Sequence, residues 1–501
     1  MHAGTASHRE VCRFAGMSVF CQPLTSFSHH SSFQYMALHS NNPAPKSGSA
    51  IDRIWGTALI SLLLPLMIGC QLYSPSPLNP TGHAQDWHER RPSDEKIIDF
   101  ARRLEASAPR SVQFNPSDGL TLAEAEIVAL VYNPDLRLAR LKADVAKASA
   151  QYAGRWDDPE LSIDVLKVTE SVPHPWVVGS SLSLTIPVSG RLEVEKARAE
   201  AFKHAELARV SEEEWKIIIT LCESWLTWSA DLIRLQESES MLKSLDGFVT
   251  TTSQLEDVGE MPRTESALFK IEHETRKSDV ARLRGKVKEG EQEIRSVLGI
   301  SPTAPVTFIP TMAVPRSGKS RDLSITNPTL VRLQNEYEVA ELTLLREIRK
   351  QFPDLEIGPS FEDDQGQSKI GVVGAIPIPI LNSNKGGIAA ARAEREVARA
   401  AFETELERQE GRHAVLEAQL EGTQARRRSM EKDVVPLVDS QMQDARQLLE
   451  LGEGGSLVIL ESIVRAHTTR LDLVEARLEE SHAANQIRSV HGPDRLSAKT
   501  K

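Results

Sequence analysis

Residues 133–136 read Asn-Pro-Asp-Leu, and the Asn-Pro pair returns at 327–328, an offset of 194 residues. Four more landmarks return after 192 to 194 residues, namely Pro159 as Pro353, Glu160 as Asp354, Pro187 as Pro379, and Gly259 as Gly452. An offset that stays within two residues over such a length indicates an internal duplication. The period is far too long for a solenoid repeat, so each copy is a large half of one structure.

Each copy contains two segments in which apolar and polar residues alternate. The four predicted strands are 160–168, 181–188, 355–361 and 370–380. In the first of them Leu161, Ile163 and Val165 share one face, while Ser162 and Asp164 share the other. Such ribbons suit the wall of a membrane β-barrel, although a small antiparallel sheet in a soluble domain has the same pattern.

Four strands are too few to close a barrel that spans lipid, since the smallest such barrels have eight. An open sheet edge in hydrocarbon leaves backbone groups unsatisfied, at a cost of several kcal/mol each. If these strands lie in a membrane, several chains must share one barrel. Three chains would supply twelve strands.

A long helical pattern follows each strand pair. The long helices are predicted at 191–256 and 386–451, and shorter return helices at 264–298 and 456–490. At 1.5 Å per residue each long helix would measure about 100 Å. A return helix and the helix before a strand pair are each about half as long, so the two would span the same distance if stacked end to end. The sequence therefore predicts a mainly α-helical, internally duplicated fold with a small β part.

Apolar and small residues recur at spacings of three and four along both long helices, which predicts stripes that pack in the core. In the first helix these residues are Ala197, Ala201, Ala205, Ala208, Trp215, Ile219, Cys222 and Leu226, and in the second they are Ala390, Ala393, Val397 and Ala401.

The remaining segments complete the domain plan. We predict that residues 1–69 are a signal and upstream segment whose start codon is set too early, and that 70–118 are a Pro- and Ser-rich tether. The two repeats are predicted at 119–300 and 322–490, a linker at mid-length at 301–321, and a disordered tail at 491–501. Met67-Ile68-Gly69-Cys70 ends an apolar run and resembles a bacterial lipobox, in which the cysteine becomes the lipidated first residue. Cys70 is therefore the predicted site of lipid (palmitate) attachment. An ordinary signal peptide with an incidental cysteine is the alternative.

Composition excludes several classes of function. The net charge is −11 without a basic patch interleaved with aromatics, which argues against nucleic-acid binding. Histidines are scattered without ligand spacing, and the run 313–320 fits only a relaxed phosphate-loop pattern that Pro315 interrupts. We found neither a nucleophile elbow nor a His-Glu-x-x-His run. The sequence predicts no enzyme, no cofactor and no metal site.

Several short motifs, in this order and duplicated, resemble the TolC-like outer-membrane efflux protein family. They are Leu122-Ala123-Glu124-Ala125, Asn133-Pro134-Asp135-Leu136, Pro159-Glu160-Leu161-Ser162, Ile376-Pro377-Ile378-Pro379-Ile380 and Lys385-Gly386-Gly387-Ile388. The first copy departs from the pattern at residues 188–191, where the glycine-rich turn is shorter. The resemblance implies a homotrimer with a twelve-stranded transmembrane β-barrel, continued by an α-helical (coiled-coil) barrel in the periplasm. It also implies a periplasmic adaptor and an inner-membrane pump as partners, and the lipobox resembles the lipoprotein branch of the family.

The tips of the two long hairpins are the candidate functional positions. Glycines predicted to shape these turns and to dock an adaptor are Gly259, Gly452, Gly454 and Gly455. Candidate acids for a closed gate are Glu256, Asp257, Glu260, Glu450 and Glu453. Threefold copies of an inward acid would form a ring that favours cations. The other interpretation is that these acids are solvated turn residues.

Two functions fit the sequence. The first is a lipid-anchored outer-membrane exit duct of a tripartite efflux or type I secretion system, which exports small solutes such as drugs or metal cations. The second is a lipid-tethered periplasmic coiled-coil scaffold with a structural role, in which the strands form a soluble sheet. The cargo is not encoded in a recognisable motif.

Overall fold

The computed structural model describes residues 73–107, 114–315, 322–364, 366–450 and 455–493. The signal segment, Cys70 and residues 494–501 lie outside these ranges. The chain divides into two compact units at His88, and of the first unit the structure describes residues 73–87. Helix α1 (Pro80–Glu89) begins in the first unit, and the helices and strands after it belong to the second.

Both repeats have the same order of elements. Helix α2 (Glu95–Ser107) precedes the first repeat, which consists of α3 (Leu122–Tyr132), α4 (Pro134–Tyr152), β1 (Glu160–Lys167), β2 (Trp176–Ile186), α5 (Arg191–Asp257) and α6 (Arg263–Leu298). The second consists of α7 (Leu323–Thr326), α8 (Pro328–Arg349), β3 (Leu355–Asp364), β4 (Gln367–Ala375), α9 (Lys385–Ser429), a π-helical segment (Met430–Val434), α10 (Val435–Glu450) and α11 (Ser456–His491). The predicted fold class, with long helices and a small sheet in two copies, is confirmed.

The four strands form one antiparallel sheet in the order β1-β2-β3-β4. Strands β1 and β4 lie at its two edges. The second strand begins at Trp176 rather than at 181, because small residues such as Gly179 and Ser180 hide the alternation at its start. The fourth ends at Ala375 rather than at 380, since Pro377 and Pro379 cannot donate to a ladder.

The helices form a wall four columns wide. The 67-residue helix α5 packs against α4 and α6 on one side and against α8 and α11 on the other. Helices α9 and α10 pack against α8 and α11 but not against α5. The α4 and α6 column therefore lies at one edge of the wall, and the α9 and α10 column at the other.

The Asn-Pro pair joins two helices end to end within a column. The side-chain oxygen of Asn133 accepts hydrogen bonds from the backbone N–H groups of Asp135 and Leu136, which caps the start of α4. Its Nδ2 donates to the carbonyl of Val297 in the last turn of α6, at 2.9 Å. Gly299 ends α6 with φ +72°, and a Cβ there would lie 2.2 Å from the carbonyl oxygen of Tyr132.

The second repeat builds the same joint. Asn327 caps α8, and its Nδ2 donates to the carbonyl of Val490 at 2.8 Å. Gly492 has φ +78°, and a Cβ there would lie 2.1 Å from the carbonyl oxygen of Thr326. The duplicated Asn-Pro pair and the glycine at the end of each return helix therefore serve one purpose, which is to stack a return helix on a pre-strand helix.

The expectation that these stacked helices are equal halves was wrong. Helix α4 has 19 residues and α6 has 36. The break at Asn133 separates α3, which packs on α5 and α6 rather than extending α4.

The second long helix is not continuous, in contrast to the prediction over 386–451. A π-helical segment at Met430–Val434 separates α9 from α10. Pro436 explains the change, because its ring has no N–H for the carbonyl of Lys432 and clashes with it in a regular helix. The chain enters α9 through Ser383 and Asn384, both with positive φ. Gly386 and Gly387 lie inside the helix, so they do not form the turn.

The predicted tether over 70–118 was also wrong over much of its length. It contains α1 and α2, and Ile97 and Phe100 of α2 are buried in the largest core cluster. Arg90 Nη1 donates to the carbonyl of Gly299 at 2.8 Å, and the hydroxyl of Tyr132 donates to Asp94. The arm from His88 onward is therefore docked at the first helix joint.

The predicted mid-length linker enters the same core. Phe308 packs edge-to-face on Trp225 and Trp228 of α5 at centroid distances of 5.3 and 5.8 Å. Trp225 donates its indole N–H to the carbonyl of Ile309. The predicted tail at 491–501 begins too early, because His491 is the last residue of α11.

The two predicted core stripes differ in how far they are buried within the single chain. In α5 the stripe is buried except at Ala197, which is exposed, and Ile219, which is half-buried. In α9 all four residues are exposed, with Val397 at 69%. Helix α9 is at the edge of the wall, so none of the described helices covers its stripe.

Candidate functional site

The sheet has one continuous apolar face. The register pairs Leu161 with Leu182 and Phe361 with Ile370, so apolar side chains on all four strands point the same way. In the single chain this face is uncovered, with Ile370 at 87% and Ile163 at 66% exposure. Contiguous apolar patches of this kind mark contact with a partner or with lipid.

The opposite face of the sheet carries small and acidic residues. The register places these carboxylates on it: Glu160, Asp164, Glu356, Glu362 and Asp364. Lys369 lies on the same face, with its Nζ 2.7 Å from Asp364 and 3.2 Å from Glu362. Alternation of an apolar outer and a polar inner face is typical of a barrel wall between lipid and water.

The first hairpin tip is a glycine-capped turn. Gly259 has φ +80°, and the N–H of Glu260 donates to the carbonyl of Leu255 at 2.9 Å. A Cβ at Gly259 would meet no neighbour within 4 Å, so the glycine is needed for its backbone conformation and not for space.

The candidate gate acids of this tip have different surroundings. Glu256 is paired within its own hairpin, with Lys270 Nζ at 3.0 Å and Arg263 Nε at 3.9 Å. Asp257 and Glu260 are exposed. The two exposed acids are therefore the ones whose charge faces solvent beyond the hairpin.

The second tip is described in part. Gly452, Glu453 and Gly454 and the side chain of Glu450 lie outside the described residues. Gly455 precedes α11 with φ −67°, a conformation open to any residue, and has free space around its Cβ position. The hydroxyl of Ser456 donates to Glu265, which links the starts of α11 and α6.

An apolar groove lies between α6 and α11 near the tips, and sequence reasoning missed it. It is lined by Leu268, Ile271, Glu272, Leu457, Leu460, Glu461 and Val464. Its residues follow helical spacing, which in a sequence looks the same as a buried stripe. In the structure they meet at a surface, so the groove can receive an apolar helix face.

Two buried groups of the wall are structural rather than chemical. Burial raises the pKa of the Cys222 thiol to about 12, so the thiol stays protonated and unreactive. Burial, together with the nearby Arg276, lowers the pKa of His467 to about 4, so this imidazole is neutral at physiological pH. Its Nε2 lies 3.5 Å from the hydroxyl of Ser238 on α5.

Within the part of the chain that the structure describes, no helix is both long and apolar enough to cross a membrane. Across the same residues, no group of three or more His, Cys, Asp or Glu side chains lies together within reach of one metal ion.

A wall of long antiparallel helices built twice, with two strands per copy joined in one sheet, is the fold of TolC-like outer-membrane channels. The structure of CusC matches with 15% identity and a TM-score of 0.65, over 85% of this chain and 100% of that chain. The outer-membrane channel OprN matches with 16% identity and a TM-score of 0.65, over 85% and 98%. The Campylobacter jejuni outer-membrane channel CmeC matches with 12% identity and a TM-score of 0.61, over 86% and 96%. The resemblance predicted from the sequence is thus confirmed for the fold.

The sequence comparisons add no closer relative. Neither a protein-family model nor a curated protein sequence matches the chain.

Proposed function

We propose that the protein is an outer-membrane exit duct, in which three copies close into one barrel and one helical tunnel. In this role it serves a tripartite efflux pump or a type I secretion system and exports small solutes such as drugs or metal cations. A duct needs a water-filled path and no catalyst. The observation that carries the proposal is that both the sheet and the helix wall end in uncovered edges.

The sheet edges require closure. Strands β1 and β4 each have a neighbour on one side within the chain, and their apolar residues are exposed. In lipid, unsatisfied backbone groups at such edges cost several kcal/mol each, which forbids an open four-stranded sheet. Pairing β1 of one copy with β4 of the next removes both edges, and three copies give twelve strands.

The helix edges offer a matching pair of apolar stripes. On α4 the exposed residues Leu138, Leu141 and Val145 follow heptad spacing, with Val145 at 67% exposure. At the other edge, α9 exposes Ala390, Ala393 and Val397. Large side chains against small ones allow two helices to approach closely, so the same rotation that closes the sheet covers both stripes.

Membrane extraction separates this proposal from the tethered scaffold. We expect the mature protein with Cys70→Ser, which has no lipid, to stay in outer-membrane fractions after washes with salt and carbonate and to require detergent. The reason is that its uncovered apolar sheet face is buried in hydrocarbon. Release of the Cys70→Ser protein into aqueous buffer as a monomer would support the scaffold and contradict the duct.

We further propose that the groove near the tips receives a helical hairpin of a periplasmic adaptor. Its apolar floor is flanked by Glu272 and Glu461, each paired with an arginine of its own helix, so the partner helix should carry an apolar stripe that fits the floor. Gly259 then shapes the turn that leads into α6, one of the two helices that form the groove. The exposed Asp257 and Glu260 are the acids of the first tip that remain candidates for an inward ring.

Leu457→Glu is expected to weaken co-purification of the adaptor from native cells by tenfold or more, since a buried hot-spot residue contributes ~2 kcal/mol or more. Val458→Glu is the matched control, because Val458 is equally exposed but does not line the groove. The trimer should form in both variants. An equal loss of adaptor in the two variants would place docking elsewhere.

A further inference from the structure

Two histidines that are 78 residues apart meet beside the second helix joint. His413 is on α9 and His491 is the last residue of α11, and their Nε2 atoms lie 2.8 Å apart. The ring planes are nearly perpendicular, at 85°. Both side chains are half-buried. In the first repeat the residue before Gly299 is Leu298, whereas in the second the residue before Gly492 is His491, so the histidine at this joint is particular to the second repeat.

We propose that His413 and His491 together bind a divalent transition-metal ion such as Ni²⁺ or Cu²⁺, with water completing the coordination. Imidazole nitrogens suit these ions. Two nitrogens each about 2.0–2.1 Å from one metal lie about 2.9 Å apart at the right angle of a square-planar or tetragonal Ni²⁺ or Cu²⁺ site, and the two Nε2 atoms here are 2.8 Å apart. The pair is therefore spaced as neighbouring ligands of one ion.

The surroundings favour a cation at this place. Glu417 Oε2 lies 3.6 Å from Nδ1 of His413, on the side of the ring away from His491. At this distance the carboxylate makes no hydrogen bond to the ring, but its negative charge favours a cation bound to His413. His491 ends α11, where the helix dipole is negative.

Binding needs no oxidant and only a small proton movement. With the ring proton of His413 on Nδ1, the bond between the rings is a donation from Nε2–H of His491 to Nε2 of His413. The metal replaces that proton, and Nδ1 of His491 takes up one proton in its place, so the ring stays neutral and both Nε2 lone pairs are available to the ion. The ion would tie α9 to the end of α11 at the joint.

The test is calorimetric titration of NiCl₂ into the full mature protein with Cys70→Ser, purified in detergent without a histidine tag and freed of metal. We expect about one Ni²⁺ per chain. The double variant His413→Ile with His491→Leu should bind at least about tenfold more weakly, since loss of a mere outer-shell partner already costs 10–100-fold. His482→Gln, which alters another histidine of α11, should bind as the parent does.

A second readout separates ligation from folding. Cu²⁺ added to the parent protein should show hyperfine coupling to two imidazole nitrogens in its electron paramagnetic resonance spectrum, and the double variant should lose it. Unchanged Ni²⁺ binding in a folded double variant, or no saturable binding in the parent, would overturn the proposal. These outcomes are independent of whether the protein conducts.

Discussion

Gly299→Ala and Gly492→Ala are expected to be the most destabilising single alanine substitutions among the glycines of the helix wall. At each site the new Cβ would lie 2.1–2.2 Å from a backbone carbonyl oxygen across the joint. The carbonyl cannot move away without disturbing the joint, because it belongs to the residue before the capping asparagine. An alanine in the left-handed conformation costs about 1–2 kcal/mol, and moving the two helix ends apart to relieve the clash costs more. We therefore expect the free energy of unfolding to fall by ~3 kcal/mol or more.

Gly190→Ala is the matched control for this prediction. Gly190 has φ +68° but no neighbour within 4 Å of a Cβ, so its variant carries the conformational cost alone, about 1–2 kcal/mol. The measurement is the thermal unfolding midpoint of the purified protein. If the unfolding midpoint falls by the same amount in all three variants, the close stacking at the joints does not exist in solution.

Ile163→Lys is expected to abolish assembly almost completely. Ile163 lies in the middle of β1 on the exposed apolar face, and a lysine facing lipid near the bilayer midplane costs about 2–4 kcal/mol per chain. Three copies carry the cost together in one barrel. We expect at least a tenfold drop in heat-resistant trimer on gels run without boiling.

Ser162→Lys provides the comparison, because Ser162 is the neighbouring residue on the polar face. A lysine there points into water and joins a face rich in carboxylates, so near-normal trimer levels are expected. Equal tolerance of lysine at 162 and 163 would show that neither face meets lipid.

The sequence predicted the duplication, the strand and helix order and the fold class, because these depend on local periodicity and on turn residues repeated in two copies. The structural role of the two Asn-Pro pairs could not be predicted from one sequence. The side chain of Asn133 donates to the carbonyl of Val297 and that of Asn327 to the carbonyl of Val490, each more than 160 residues away along the chain. Long-range contacts of this kind leave no local pattern.

The sequence failed to predict other features, each for its own physical reason. The stripe of α9 has the spacing of a core helix, and periodicity cannot distinguish a neighbour in the same chain from one in another copy. The N-terminal arm is rich in Pro and polar residues, yet Ile97 and Phe100 give α2 an apolar face that docks. Pro436 is present in the sequence as a helix-breaking residue, but the helix accommodates it with a π-helical segment and continues. His413 and His491 looked scattered because only the antiparallel return of α11 brings them together.

Cross-linking of the sheet edges tests most directly whether three copies close one barrel. In the Cys70→Ser background, Ile163→Cys on β1 is combined in turn with Ile370→Cys and Val372→Cys on β4, with each single variant as control. Within one chain β1 and β4 lie at opposite edges of the sheet, so a disulfide between them must join two copies. The account predicts that oxidation of membranes gives bands of one, two and three chains, and none larger. Bands that continue beyond three chains, or an absence of cross-links for both pairs, would contradict it.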